Sequence, residues 1–337
     1  MLYDPAIMTS KETFKNQIQN LNADLFEEQA LALFRYQAQN NPVYHQYLEF
    51  LGVKPGKIHT VHQIPFLPIE FFKTQQVKTG TFTARVVYQS SGTTLQARSK
   101  HYLPDDTFYK SHSRHIFESF YGPLTDYIFL ALLPSYLEQG HSSLVAMVDY
   151  FVSQSGQDLP GFYLQNLEAL LQVIGQARQS GKKIVLFGVT YALLDLAEKV
   201  SPGSLADVLI METGGMKGRR REMVRQELHT ILQEAFGVQA IHSEYGMTEL
   251  LSQAYSKGEG IFQAPLAMKV LLRDPNDPLT VSAGFKTGGI NLIDLANIDS
   301  CAFLETKDLG RLHDDGRFEV LGRFDNSDIR GCNLLVA

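Results

Sequence analysis

Cysteine is scarce in this 337-residue sequence, which contains only Cys301 and Cys332. Neither residue belongs to a CxxC or Cys/His spacing, so the sequence excludes a disulfide scaffold and gives no indication of a zinc site. Basic charge is not in excess either, because the formal net charge is −6. This charge balance excludes a broad nucleic-acid-binding surface. The densest basic cluster, KGRRREMVR at 217–225, contains Glu222 and is typical of a solvated helix face.

Long hydrophobic runs and a targeting segment are also missing. The longest apolar runs, such as YIFLALL, are far shorter than the roughly 20 residues that cross a bilayer. The N-terminal stretch MLYDPAIMTSKETF lacks the charged-then-apolar pattern of a signal peptide. We therefore expect a soluble protein of a reducing compartment, the cytoplasm, with no membrane span.

The pattern of apolar residues changes along the chain. In residues 9–50, apolar residues recur at spacings of three and four positions, which predicts a largely helical start over 1–85. From 86 to 255, short apolar runs alternate with amphipathic segments, which predicts parallel strands, crossover helices and an α/β core. The runs that we expect to form strands of this core are 126–134, 182–189, 206–212 and 238–246.

The segment REMVRQELHTILQEAF shows the helical pattern most clearly. The residues that we expect on its single buried face are Val224, Leu228, Ile231, Leu232 and Phe236. After about residue 255 this pattern fades, and short strands separated by Asp-Pro, Gly-Gly and Asp-Gly turns predict a β-rich lobe over 256–337. Because no Pro/Gly/Ser-rich linker interrupts the sequence, we expect one domain over 1–337.

The segment VVYQSSGTTLQARSK at 86–100 has the chemistry of an anion cradle. A glycine lets the backbone approach a ligand closely, while hydroxyls and amides donate to phosphate oxygens and Arg98 or Lys100 supplies countercharge. The candidate contacts are Ser90, Ser91, Gly92, Thr93 and Thr94. The segment is not the Walker pattern, and an ordinary Ser/Thr-rich turn remains the alternative.

A second candidate segment, HSEYGMTELLSQAY at 242–255, follows a predicted buried strand. Ligands of α/β sheets meet the loops at the carboxyl ends of strands. Tyr245 can stack on a base, Thr248 can bind a phosphate and Glu249 can bind magnesium. The alternative is a tyrosine packed in the core, followed by the start of a helix.

Two further segments carry weaker signals. In METGGMKG, Gly214 and Gly215 follow a predicted strand and can bring backbone groups to a planar ligand edge, although a simple turn has the same sequence. In TKDLGRLHDDGRFEVLGRF, Asp308 can accept hydrogen bonds from ribose hydroxyls, and Arg323 can donate to ribose or phosphate oxygens. A β-hairpin with a surface salt bridge has the same appearance.

Together these four segments resemble the adenylate-forming superfamily of acyl-CoA ligases, adenylation domains and firefly-type luciferases. Its phosphate loop reads roughly Ser/Thr-Ser-Gly-Thr-Thr-Gly-x-Pro-Lys, and here Arg98 stands in the place of the lysine, while Leu95 and Ala97 depart from the usual glycine and proline. The fold that this resemblance implies is the N-terminal α/β domain of these enzymes, and the cofactors that it implies are ATP and magnesium.

The same resemblance assigns a role to each matched residue. Tyr245 and Gly246 begin the Tyr-Gly-x-Thr-Glu motif, in which the tyrosine is the adenine platform. Thr248 contacts phosphate together with Thr93, Thr94 and Arg98, and Glu249 is the magnesium ligand. Gly214 and Gly215 form the adenine-side turn. Asp308 and Arg323 contact the ribose.

The terminal segment GRFDNSDIRGCNLL resembles the hinge that precedes a C-terminal domain in longer relatives. The sequence also resembles the acyl-protein synthetase branch, in which an activated fatty acyl group passes to a cysteine near the C-terminus, and Cys332 occupies the corresponding position. This resemblance implies a carboxylic, fatty acid substrate, with acyl transfer to Cys332 or to a partner protein. Candidate walls of the acyl pocket are His141 and Met147, whereas we expect Cys301 to lie in the core.

Three alternatives compete with this interpretation. The first is an acyl-CoA ligase that uses coenzyme A as the acceptor. The second is an enzyme that loads an acyl carrier, and the third is a non-catalytic subunit that binds a nucleotide or an acyl chain. Fold resemblance alone does not distinguish among them.

Overall fold

The computed structural model describes residues 11–90, 97–133, 141–163, 166–214 and 223–324. Within these ranges the helices are α1 (Lys11–Gln19), α2 (Phe26–Asn40), α3 (Pro42–Phe50), α4 (Phe71–Thr74), α5 (Thr107–Tyr121), α6 (Ser143–Ser155), α7 (Leu167–Ala177), α8 (Thr190–Ala197) and α9 (Arg225–Phe236). The strands are β1 (Leu67–Pro68), β2 (Val86–Gln89), β3 (Lys100–Leu103), β4 (Tyr127–Leu132), β5 (Lys183–Gly188), β6 (Val208–Glu212), β7 (His242–Tyr245), β8 (Ala254–Ser256), β9 (Ile261–Phe262), β10 (Met268–Arg273), β11 (Thr287–Asp294), β12 (Phe303–Leu312) and β13 (Phe318–Arg323).

In the described part of the chain, β4 to β8 form a five-stranded sheet in chain order. Strands β4 to β7 are parallel, and β8 returns antiparallel to β7. Helices α6 to α9 supply the crossovers that parallel neighbours need. The apolar runs of β4 and β5 are almost entirely buried because helices cover both faces of such a sheet. The predicted α/β core is therefore confirmed.

A second sheet contains the remaining long strands, in the order β10–β11–β12–β13–β9. Neighbouring strands on this path are antiparallel. The short strand β1 lies off the path and pairs in parallel with the start of β12, at Leu304 and Glu305. The Asp-Gly sequence at 315–316 lies in the turn between β12 and β13, as predicted. The structure thus has a β-rich unit after residue 256. Strands β2 and β3 form a separate, antiparallel two-stranded sheet.

The prediction of a Gly-Gly turn was wrong, because Gly288 and Gly289 lie inside β11. A Cβ atom on Gly289 would lie 2.5 Å from Cζ of Arg273, and one on Gly288 would lie 2.4 Å from the Arg273 carbonyl oxygen. The buried Arg273 guanidinium crosses the sheet here and donates to the Ile290 carbonyl at 2.9 Å and to the Thr306 carbonyl at 2.7 Å. The glycines therefore make room for an arginine.

The helical start does not form a core of its own. Its apolar residues pack with the second sheet, for example where the Phe34 ring meets Tyr44 at 6.1 Å and Phe303 at 5.8 Å, both edge-on. Phe34 is fully buried, and burying such a side chain contributes about 2–3 kcal/mol. The first core lies between the five-stranded sheet and helices α5 to α9. We call the core built by α1 to α3 and the six-stranded sheet the second core.

The expected buried face of the helix before β7 is only partly correct. Leu228, Leu232 and Phe236 are buried in the first core. Val224 is 70% exposed and Ile231 is 37% exposed, because the helix begins at Arg225 and Ile231 lies at the edge of its apolar stripe. The basic cluster before it lies mostly outside the described residues.

No helix in the described ranges is both long enough and apolar enough to span a bilayer.

Candidate functional site

Three of the predicted nucleotide-binding residues lie together at the edge where β7 ends. The Tyr245 hydroxyl donates to Oδ2 of Asp308 at 2.8 Å. Asp308 and Arg323 are directly opposed on β12 and β13, and Nε of Arg323 lies 3.4 Å from Oδ1 of Asp308. The contact between Tyr245 and Asp308 joins residues 63 positions apart in sequence. The hairpin with a salt bridge that sequence reasoning considered is therefore present, and it also contacts the tyrosine.

Burial controls the ionisation of this cluster. It raises the pKa of the Asp308 carboxyl, and the facing Arg323 guanidinium opposes that rise. Burial also raises the pKa of Tyr245 well above its ordinary value, and the Asp308 charge raises it further. The Tyr245 hydroxyl therefore stays protonated and acts as a hydrogen-bond donor. The ring contacts Phe262 at 5.8 Å and Phe318 at 5.5 Å between centroids.

Thr248 and Glu249 lie next to the base of the predicted phosphate loop. The backbone amide of Ser90 donates to the Ser99 carbonyl at 3.1 Å, and the amide of Ser99 donates to the Ser90 hydroxyl at 3.0 Å. These bonds close the loop at its base, and the partly exposed Arg98 lies beside them. Residues 91–96 of the loop, which include Ser91, Gly92, Thr93 and Thr94, lie outside the described ranges.

The Glu249 carboxyl is only 5% exposed. Burial raises its pKa, whereas a hydrogen bond from Ser99 and the charges of Arg323 and Lys73 lower it. The loop base, the tyrosine–aspartate cluster and Glu249 thus belong to one site. A second contact holds the preceding residue, because Nδ1 of His101 lies 2.8 Å from the Thr248 carbonyl and donates its proton there.

The predicted glycine turn is anchored by a residue that sequence reasoning missed. The amide of Gly214, whose φ is +75°, donates to Oε1 of Glu212 at 2.7 Å. The same oxygen accepts a hydrogen bond from the Thr190 hydroxyl at 2.6 Å. Glu212 therefore joins the carboxyl ends of β5 and β6. Its only sequence signal was an acidic residue at the end of a buried strand, and Gly215 lies outside the described residues.

Glu244 is a second carboxylate that sequence reasoning missed. It precedes Tyr245 on β7 and faces the opposite side of the strand. Burial, and then the nearby Glu212 carboxylate, raises the pKa of Glu244 to about 8. A Cβ atom on Gly246 would lie 2.4 Å from Oε1 of Glu244. The glycine of the Tyr-Gly-x-Thr-Glu motif therefore leaves room for this carboxyl.

A buried network fixes the segment that follows Glu249. Asp294, at the end of β11, accepts hydrogen bonds from the amides of Leu251 and Ser252 at 2.8 and 3.0 Å. Nδ2 of Asn297 donates to the Glu249 carbonyl at 2.8 Å. Two amides of the segment are thus held by the last residue of β11 and one carbonyl by the turn that follows, and sequence reasoning missed both.

The candidate acyl-pocket residues separate in the structure. His141 lies on the wall of a cavity of about 600 Å³ between β2, α5 and α6. Its backbone carbonyl accepts from the amide of Gln89 at 2.8 Å, so the cavity adjoins the predicted phosphate loop. Met147 is fully buried in the first core and is not among the described residues that line the cavity.

The two cysteines also differ. Cys301 is fully buried, as predicted, and burial raises the pKa of its thiol to about 12. Its thiol is therefore protonated and unreactive at neutral pH. Cys332 lies outside the described residues.

Comparison with known proteins identifies the fold. No protein-family model and no curated protein matches the sequence. ATP-bound MatB from Rhodopseudomonas palustris is a structural neighbour with 15% identity and a TM-score of 0.51, covering 72% of this chain and 49% of MatB. O-succinylbenzoate coenzyme A synthetase (MenE) from Bacillus subtilis, in complex with ATP and magnesium ion, has 16% identity and a TM-score of 0.51, covering 72% and 50%.

A third neighbour is the same Bacillus subtilis synthetase in complex with the acyl-adenylate intermediate OSB-AMP. It has 18% identity and a TM-score of 0.51, and the match covers 73% of this chain and 50% of the synthetase. The chain therefore spans about half the length of these neighbours. It has the α/β fold of the N-terminal domain of adenylate-forming enzymes, as the sequence predicted.

Proposed function

We propose that the chain is an ATP-dependent ligase that activates a carboxylic acid as an acyl-adenylate and releases pyrophosphate. The observation that carries this proposal is the cluster of Tyr245, Asp308 and Arg323, joined through Glu249 to the closed base of a Ser/Thr-rich loop. The fold shared with MenE, a structure of which holds an acyl-adenylate intermediate, supports it.

Each group has a task in this reaction. Asp308 accepts hydrogen bonds from the ribose hydroxyls and Arg323 donates to ribose or phosphate oxygens, while Tyr245 supports the adenine. Thr248, Arg98 and the loop from Ser90 to Thr94 hold the phosphates. Gly214 and Gly215 line the adenine edge.

The residues at Glu249 fit a magnesium ion. Mg²⁺ is commonly held by one or two carboxylates, substrate phosphates and waters, rather than by a cage of protein ligands. Among the described residues no group of three or more His, Cys, Asp or Glu side chains forms such a cage, whereas Glu249 places one carboxylate beside the predicted loop. Magnesium would neutralise charge on the phosphates. Burial raises the pKa of the Glu249 carboxyl, and the protein's own contribution is to oppose that rise through the hydrogen bond from Ser99 and the charges of Arg323 and Lys73.

We propose the cavity beside His141 as the binding place of the acid. Its wall contains the apolar residues Val86, Val145 and Phe162, which can contact an alkyl chain such as that of a fatty acid. The wall also contains charged residues, namely Arg85, Asp106, Lys110 and Asp149. The acyl group then passes from the adenylate to a thiol, because an acyl-adenylate is a mixed anhydride and a thiolate is a suitable nucleophile. Cys332, a partner protein's thiol and coenzyme A are the candidate acceptors.

The test is pyrophosphate–ATP exchange over a panel of short, medium, long and aryl acids. We expect exchange with one acid class, at least 100-fold slower in Glu249→Gln because that variant loses a charge beside the reacting phosphate. Glu234→Gln, at an exposed position on α9, is the matched control and should exchange like the wild type. ATP binding without exchange for any acid would replace the ligase with a nucleotide-binding subunit.

The acceptor requires a separate measurement. Intact mass after incubation with ATP and the preferred acid should show an acyl adduct in the wild type and none in Cys332→Ala. Thioester formation on added coenzyme A by Cys332→Ala, without an adduct on the wild-type chain, would assign coenzyme A as the acceptor instead.

A further inference from the structure

Residues 67–74 form a short segment that lies across the candidate site. Strand β1 pairs with β12 through Leu67–Leu304 and Pro68–Glu305. The amide of Ile69 continues this pairing by donating to the Glu305 carbonyl at 3.1 Å. The segment is therefore fixed to the strand that carries Asp308, and α4 begins directly after it.

On the side away from β12, helix α4 packs against His101, the residue that holds the Thr248 carbonyl. The Phe72 ring is fully buried and meets the His101 ring edge-on at 5.8 Å. His101 in turn holds the Thr248 carbonyl. At the start of α4, Glu70 forms an ion pair with Lys307, the neighbour of Asp308 on β12. The helix thus bridges the two parts of the site, and its backbone is fixed relative to both.

This placement puts one cation, Lys73, on the helix that packs against His101, the residue that holds Thr248. Lys73 follows Phe72, its side chain is exposed, and its charge acts on the Glu249 carboxyl together with that of Arg323. In the described ranges, no carboxylate lies within salt-bridge distance of the Lys73 ammonium. Its charge is therefore available to a ligand that binds beside Glu249.

We propose that the Lys73 ammonium is a catalytic group that binds the phosphate oxygens of ATP next to Glu249 and stabilises the departing pyrophosphate. The inference rests on the proposed ligase function. In the step that it serves, a carboxylate oxygen of the acid bonds to the α-phosphorus, and the bond from that phosphorus to the oxygen bridging to the β-phosphorus breaks. The bonding electron pair leaves with pyrophosphate. Lys73 keeps its proton, and its charge offsets the negative charge that accumulates on the leaving group.

The geometry favours phosphate over the acid as the partner of Lys73. Helix α4 packs against His101, which holds Thr248 next to Glu249, and Ser99 of the loop base lies two residues before His101 in the chain. The proposed acid cavity opens instead beside β2 and α6, and α4 contributes none of its described lining residues. Lys73 is thus a cation that sequence reasoning missed, because nothing in FFKTQQ indicates a phosphate contact.

The test compares Lys73→Met, Lys73→Arg and the control Lys57→Met, which removes another exposed lysine of the N-terminal region. The readouts are the Kd of magnesium–ATP and the KM values for ATP, pyrophosphate and the acid in the exchange assay. Loss of one charge-assisted contact should raise the magnesium–ATP Kd and the pyrophosphate KM about 10-fold in Lys73→Met. The acid KM should not change, Lys73→Arg should stay within about threefold of the wild type, and Lys57→Met should match it.

Several outcomes would overturn the inference. If Lys73→Met keeps the wild-type Kd and KM values, Lys73 does not touch the phosphates. A change confined to the acid KM would assign Lys73 to the carboxylate instead. Since the side chain is exposed, the unfolding temperature of Lys73→Met should equal that of the wild type, and a large fall would indicate a structural role. If the wild-type chain catalyses pyrophosphate–ATP exchange and Lys73→Met is unaffected, only this inference is refuted. If the wild-type chain neither binds ATP nor catalyses exchange, the proposed function is refuted as well.

Discussion

Glu244 should destabilise the folded chain at neutral pH. Burial raises its pKa from 4.5 to about 8, so the carboxyl is protonated in the folded state at pH 7 and ionised in the unfolded state. A group of this kind favours folding below pH 4.5, and that advantage is lost as the pH rises towards 8. At about 1.4 kcal/mol per pH unit, the loss reaches about 3 kcal/mol at pH 7 and only about 1 kcal/mol at pH 5.

The substitution Glu244→Gln keeps the shape of the side chain and removes its ionisation. We expect it to raise the free energy of unfolding by up to about 3 kcal/mol at pH 7 and by about 1 kcal/mol at pH 5. Urea titrations followed by far-UV circular dichroism at the two pH values measure both quantities. Glu234→Gln, at an exposed position, is the control and should change neither. An equal effect of Glu244→Gln at pH 5 and pH 7 would refute the reasoning, because only the ionisation of Glu244 makes the effect depend on pH.

Two further predictions concern the free energy of unfolding, one through packing and one through its dependence on pH. Gly289→Ala places a methyl group 2.5 Å from the Arg273 guanidinium and should lower the free energy of unfolding by about 2–4 kcal/mol, because it displaces the hydrogen bonds of Arg273. The control Gly56→Ala, whose added methyl has no neighbour within 4 Å among the described residues beyond those adjacent in the chain, should lower it by under about 1 kcal/mol. Equal losses for the two variants in urea titrations would contradict this prediction. Burial lowers the pKa of His112 to about 3, so the wild type should lose about 2 kcal/mol of stability from this residue between pH 7.5 and pH 5 as the unfolded chain takes up the proton. His112→Gln should lose that much less over the same range, and identical losses would mean that His112 does not remain neutral in the fold.

The sequence predicted the elements whose signal is local. The buried runs at β4 and β5 are apolar at nearly every position, and this pattern distinguishes them from surface strands. The Asp-Gly turn after β12 was equally local. The Gly-Gly prediction failed because Gly289 is required by Arg273, a residue 16 positions away on another strand. A turn and a close approach select the same residue type, so sequence alone did not separate them.

The candidate site was predictable only as a set of segments. Resemblance to a family grouped Tyr245, Asp308 and Arg323, but no periodicity or spacing indicated that the tyrosine hydroxyl donates to the aspartate. Glu212 and Lys73 were missed for a different reason. The strand that carries Glu212 and the helix that carries Lys73 reach this part of the fold only through tertiary packing, and such contacts leave no mark on neighbouring residues.

The position of the site between the two cores follows from the alternation of side chains along β7 and β8. Tyr245 packs in the second core, whereas Tyr255, on the neighbouring strand, packs in the first. Ser252 lies between them, and its hydroxyl contacts both Asp294 of β11, at 2.7 Å, and His112 of α5, at 2.9 Å. This buried chain of hydrogen bonds joins the cores directly behind Glu249. Because groups on both sides hold the same segment, a change that shifts one core against the other moves Glu249 relative to Asp308, and the geometry of the site depends on the integrity of both cores.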